Sequence, residues 1–190
     1  MKNTMLLILA GLACALTPAA AYSDAPSFNY LQTAVQHTST SNGDNWGWGV
    51  QGSFNPVGGL FFSGEYSRTN YLDYAQSDVK TYRVNAGYYT TLADTLALYG
   101  TAGWAATEVS GSRSDGAVVG AGLRANLVSI LELRVGASHY FFDDGFNEYS
   151  AGVLLHILPF MYISAGIAKY SGAGTSPDTT RWQAGLRFSF

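Results

Sequence analysis

The sequence predicts an all-β fold, a closed antiparallel up-and-down transmembrane β-barrel with ten strands, and three observations predict it. An export leader opens the chain. Ten spaced segments then alternate apolar and polar residues, and on the apolar face aromatic residues flank an aliphatic band at both ends. Alternation with period two marks a strand, because successive side chains leave it on opposite faces.

The leader comes first. Lys2 supplies a positive start, "MLLILAGLACAL" (Met5 to Leu16) an apolar stretch, and Ala19 and Ala21 the small residues of a cleavage site. Residues 1–21 are expected to be a cleaved signal peptide, too short to span a bilayer as a helix, leaving 22–190 as the barrel. A lipoprotein would acylate Cys14, but "GLA" sets Gly11 where a large aliphatic belongs. With the one cysteine lost, disulfide, thiol and cysteine–metal chemistry are excluded. Only 12% of residues are charged and the formal net charge is −3, which is no nucleic-acid footprint. Beyond residue 21 no apolar run approaches the ~18 residues of a membrane helix.

The ten segments follow in order. The first is 28–37. The second, 46–54, "WGWGVQGSF", carries Trp46, Trp48, Val50 and Phe54 on one face and Gly47, Gly49, Gln51 and Ser53 on the other. The third, 60–69, sets Phe62 against Phe61 and Glu65. In the fourth, 79–89, Tyr82, Val84, Ala86 and Tyr88 oppose Arg83 and Tyr89. The fifth, 96–107, sets Leu98, Ala102 and Trp104 against Tyr99, and the sixth, 116–126, sets Ala121 against Arg124. The seventh, 130–142, places Val135, Ala137 and Phe141 opposite Glu132, Arg134, Tyr140 and Phe142. In the eighth, 147–157, Tyr149 and Val153 oppose His156; the ninth, 161–170, shows Ala165 and Lys169 on its apolar face. The tenth, 180–190, alternates Trp182, Leu186, Phe188 and Phe190 with Gln183 and Arg187.

The connections alternate in length. "NPVGG" (55–59), "TTLAD" (90–94), "LVS" (127–129) and "LP" (158–159) are short, whereas 38–45, 70–78, 108–115 and 171–179 are longer and polar. "DDGF" (143–146) is short on the long side, and the count falls to eight if the segments around it are misread. Short turns on one side and longer loops on the other are the habit of outer-membrane barrels.

Which face is inside follows from size, depth and charge. The polar face is built of small residues, as a crowded barrel interior needs. The apolar face gathers aromatics at two levels around an aliphatic band, as lipid contact needs and a soluble core does not. Pairing adjacent segments about their turns sets Glu65 opposite Arg83, Arg124 opposite Glu132 and Arg134 opposite His156, and buried charges need such partners. With Arg187 these form the expected lumen charge network. Phe61, Tyr89, Tyr99, Tyr140 and Phe142 add bulk, so the lumen is expected to be plugged.

With its leader, its alternating hairpins and the last strand "WQAGLRFSF", the whole mature chain resembles the small bacterial outer-membrane β-barrel proteins, the OmpA/OmpX-like superfamily in the broad sense. The resemblance is to the barrel alone, without a peptidoglycan-binding domain. It implies a bacterial outer-membrane location, lipid and lipopolysaccharide as surroundings, and a monomer. It also implies that the outer-membrane assembly machinery reads Trp182, Leu186, Phe188 and Phe190. Ten strands depart from the eight of OmpA and OmpX, so no close role transfers.

Some small barrels are enzymes, and a catalytic site needs a nucleophile, a base and an orienting group. His139, in "GASHYFFDDGFNE", faintly resembles the lipid A deacylase pattern of His with Ser two residues on. Position 141 is Phe, Ser138 points the other way, and no catalytic residue is assigned. His37 sits at a loop edge. "DDG" lacks the spaced oxygen ligands of a calcium loop, and no metal or cofactor is expected. Arg68, Lys80 and Lys169 face outward near the loop-side rim, where they are candidates for lipopolysaccharide phosphate. The expected function is non-enzymatic, envelope structure or surface interaction. A narrow solute or ion channel, a lipid A-modifying enzyme and a soluble exported β-barrel binding a small hydrophobe are the rivals.

Overall fold

The computed structural model describes residues 26–40, 43–70, 78–143, 145–172 and 179–190. The expected signal peptide lies outside the described residues, as do most of the loops at 70–78 and 171–179. Ten strands follow one another: β1 (Tyr30–Thr40), β2 (Gly43–Val57), β3 (Leu60–Asn70), β4 (Asp78–Ala93), β5 (Leu96–Val109), β6 (Ser112–Val128), β7 (Leu131–Phe141), β8 (Phe146–Leu158), β9 (Met161–Gly172) and β10 (Thr179–Ser189). Each pairs with its sequence neighbours, and β1 closes antiparallel onto β10 through ten residue pairs from Tyr30↔Ser189 to Ser39↔Thr180. Ten strands, not eight, make the barrel, and closure pairs each of the described strands on both sides.

Two expected loops turn out to be mostly strand. β1 and β2 reach Thr40 and Gly43, and β5 and β6 are joined by Ser110 and Gly111 alone. Ser110 and Gly111 both take positive φ, 49° and 85°, the two-residue turn whose twist matches a hairpin. Gly58 and Gly59 do the same at the other end, with φ of 52° and 85°.

The short-turn end has a repeated irregularity. Register shifts fall between Phe54 and Val57, Thr91 and Ala93, Asn126 and Val128, and His156 and Leu158. All four lie on even-numbered strands just before a turn. In β4, β6 and β8 the extra residue is Leu92, Leu127 or Ile157, exposed by 58%, 57% and 46%. A bulge adds twist and re-aims a side chain, here an aliphatic one away from the barrel.

The outer face is as predicted. Trp46, Tyr82, Phe141, Tyr149 and Trp182 are exposed toward the loop end, and Phe54, Phe62, Tyr88, Phe188 and Phe190 toward the turn end. Trp48, Tyr66 and Tyr82 run across three strands, with ring centroids 5.4 and 5.2 Å apart. The core is the lumen. There Phe61 packs over Gly87, and the Tyr99 hydroxyl lies over Gly122, where an added Cβ would fall 2.4 Å from either.

Candidate functional site

The lumen holds two layers of side chains. The lower one, at the turn end, is organised by Phe28, which precedes β1 and folds into the barrel mouth. Its ring stacks on Tyr89 at 4.1 Å and meets Phe61 at 4.8 Å and Tyr99 at 6.0 Å. The Arg124 guanidinium lies over it at 4.5 Å. Arg124 donates to both oxygens of Glu132, at 2.7 and 3.0 Å, a buried bidentate charge-assisted pair. Arg187 lies 3.6 Å over the Tyr30 ring and donates from Nε to Gln32 at 3.0 Å.

The upper layer centres on Arg83. It donates to Glu65 from the neighbouring strand, and across the lumen to the Tyr140 hydroxyl at 2.7 Å and Glu148 at 3.5 Å. Tyr140 in turn donates to Glu148 at 2.6 Å. Arg181 stands 3.7 Å from Glu65 and 5.2 Å over the Tyr170 ring. Side chains from β3, β4, β7, β8, β9 and β10 thus meet in mid-lumen. A mid-barrel cavity of about 160 Å³ and a loop-side vestibule of about 420 Å³ both border Glu65, Arg83, Glu148 and Arg181, so this layer divides them.

Of the three predicted pairings, one stands in register. Glu65 lies opposite Arg83, as read. Arg124 lies opposite Arg134, and Glu132 opposite Asn126, because the bulge after Asn126 moves the turn one residue along the chain. The Arg124–Glu132 contact nonetheless forms, diagonally. Arg134 lies opposite Gly152, not His156, because the ladder between β7 and β8 closes earlier, at Tyr140↔Phe146. Gly145 N–H donates to Phe142 O at 3.0 Å, and the Phe142 ring turns into the vestibule against Tyr140 and Phe146. His156 instead meets Tyr162 edge-on at 3.9 Å near the turn end. Glu148, Arg181, Tyr170 and Phe28 were missing from the predicted network. Glu148, Arg181 and Tyr170 share the inward parity of their strands, and Phe28, just before β1, shares that of Gln32 and Gln36, which was the available signal.

The remaining candidates lie on the outer face. Arg68 and Lys80 are cross-strand neighbours; Arg68 pairs with Asp78, and Lys80 with Glu108 at 3.1 Å. Lys169 occupies β9 opposite Thr180 and Tyr149. Trp182, Leu186, Phe188 and Phe190 all point outward from the β10 region. The His139 ring joins Asn147 at 2.9 Å and packs edge-on against Phe141 at 4.5 Å, while Ser138 lies opposite Glu148 on the inward face. His37 lies 3.9 Å from Asp44. Among the described residues no group of three or more His, Cys, Asp or Glu could hold a metal.

Comparison with known proteins places this geometry. A family model described as "Outer membrane protein beta-barrel domain" matches residues 6–190. The NanC porin is similar in structure, with a TM-score of 0.58 and 14% identity, covering 84% of this chain and 100% of that one. The COG4313 outer membrane channel from Pseudomonas putida F1 aligns with a TM-score of 0.55 and 8% identity, over 92% of this chain and 100% of that one. Neisserial surface protein A aligns with a TM-score of 0.42 and 18% identity, over 86% and 98%. No curated protein matches the chain.

Proposed function

The chain belongs to the outer-membrane β-barrel protein family, and from that premise we propose that it is a closed barrel without enzymatic activity, serving the envelope through its surfaces. One observation carries this reading: side chains obstruct the lumen at two depths, Phe28 with its aromatic neighbours below and the Arg83–Glu65–Glu148–Tyr140 layer above. Buried charged groups that satisfy one another resist displacement, since freeing either leaves a charge unpaired.

A narrow channel is the second reading. It is favoured by the two cavities stacked in series, which one charged layer separates, and by the porin and channel among the similar structures. Single-channel recording of the refolded protein in a planar bilayer decides between them. Silence from a folded barrel supports the closed reading, and steady resolvable current overturns it.

On the outside, Arg68, Lys80 and Lys169 are proposed to meet lipopolysaccharide phosphates by charge-assisted hydrogen bonds. Arg68 and Lys80 already have carboxylate neighbours, so a phosphate would have to compete with Asp78 and Glu108. Replacing both cations with Gln should reduce retention of lipopolysaccharide by the purified protein; unchanged retention would remove this contact. For the assembly machinery, the outward row Trp182, Leu186, Phe188 and Phe190 is the proposed recognition strand.

A further inference from the structure

Lumen charge is balanced in one layer and not in the other. Above, Arg83 and Arg181 stand with Glu65 and Glu148. Below, Arg124, Arg134 and Arg187 share Glu132, whose two oxygens are both engaged by Arg124. Nε of Arg134 and both terminal nitrogens of Arg187 are buried with no hydrogen-bond partner. Arg187 is 1% exposed, and its contacts with Gln32 and the Tyr30 ring carry no negative charge.

Guanidinium groups stay protonated in proteins, so this surplus is not relieved by losing protons. A buried charge is tolerated when it is paired, and inside a membrane protein such a group commonly marks a ligand or ion position. The 160 Å³ cavity supplies the room. Arg124, Arg134 and the Tyr30 ring line its lower part, with Arg187 stacked on that ring, Ser150 and Gln183 add hydrogen-bonding groups, and Glu65 and Glu148, both paired with Arg83, close it above. A space of that size takes an ion together with several waters.

We propose that the lower lumen binds a small inorganic anion, in the size range from chloride to phosphate, against Arg134 and in the field of Arg124 and Arg187. The anion supplies the negative charge that the described side chains of this layer lack. The inference stands apart from the closed-barrel reading, because conductance tests that reading and anion-specific stabilisation tests this one.

The experiment compares thermal unfolding of the refolded protein in chloride, phosphate and gluconate at one ionic strength. A ligand that binds only the folded state raises the midpoint, here by on the order of several degrees at saturation. Chloride or phosphate should raise it over gluconate, and Arg134→Gln should abolish the difference. Equal midpoints in all three salts overturn the proposal. A phosphate effect that persists in Arg134→Gln is general salting-out and overturns it too. If that variant does not fold, crystals of the unaltered protein grown in bromide give the answer. An anomalous peak beside Arg134 supports the site, and water alone in the cavity overturns it.

Discussion

Arg124 faces Arg134 across the β6–β7 ladder, yet its guanidinium reaches diagonally to grip Glu132 with two hydrogen bonds. Two like charges in register are unfavourable, and the diagonal carboxylate is what makes the arrangement tolerable. Glu132 is therefore the residue on which the lower layer depends.

Glu132→Gln should destabilise the barrel by about 3–5 kcal/mol, the usual penalty for removing one partner of a buried ion pair. Glu65→Gln should cost less, because Arg83 retains Glu148 and Tyr140 and Arg181 loses only a longer contact of 3.7 Å. Urea unfolding in detergent, followed by the gel-mobility shift on boiling, ranks the two. A larger loss in Glu65→Gln would contradict the assignment.

The two obstructions act in series, so removing one should not open the lumen. Phe28→Ala alone and Arg83→Ala alone should remain silent in a planar bilayer. The double variant should show resolvable current. Current from either single variant would mean that the other layer does not seal.

Gly122 sits beneath Tyr99, with an added Cβ 2.4 Å from the hydroxyl. Gly122→Ala should cost about 1–3 kcal/mol, the range for overpacking a filled interior. In Tyr99→Leu the same alanine should cost less, because the hydroxyl and the ring carbon 2.5 Å from that Cβ are both gone, while the Val135 carbonyl oxygen, also at 2.5 Å, keeps part of the penalty. A double-mutant cycle measures the difference.

Val84 is 55% exposed on the outer face, in the row between Tyr82 and the Phe62–Ala86 pair. Val84→Arg should destabilise the barrel by about 2–4 kcal/mol in lipid, the depth-dependent cost of a cation in hydrocarbon. Gln51→Arg, on the lumen side, should follow packing and not membrane depth. Unfolding from bilayers of different thickness separates the two.

Much of this architecture was legible in period-two alternation, because lipid and lumen demand opposite side chains at successive positions. Glu65 and Arg83 could be paired by counting, since β3 and β4 meet in plain register from Leu60↔Tyr88 to Asn70↔Asp78. Arg124–Glu132 and Arg134–His156 could not, because a bulge and an early turn shift the count and neither leaves a hydropathy signal. The polar ends of β1 and β2, "TST" and "GDN", looked like loop because strands that extend past the apolar band need no apolar residues. Phe28 was counted into the first strand; only its contacts with Phe61, Tyr89 and Tyr99 reveal a plug.

The four bulges at the turn end bear on how this chain tolerates changes in its own length. Deleting a residue inside a strand inverts everything beyond it, sending arginines to lipid and tryptophans to the lumen. Leu92, Leu127 and Ile157 are extra residues that lie between a turn and the last regular pair of their strand. Losing Leu127 shortens one hairpin tip and leaves Arg124 facing inward, whereas losing Gly120 scrambles the strand. Insertions and deletions in relatives should therefore accumulate at these slack positions on the even strands, and the odd strands should keep their length.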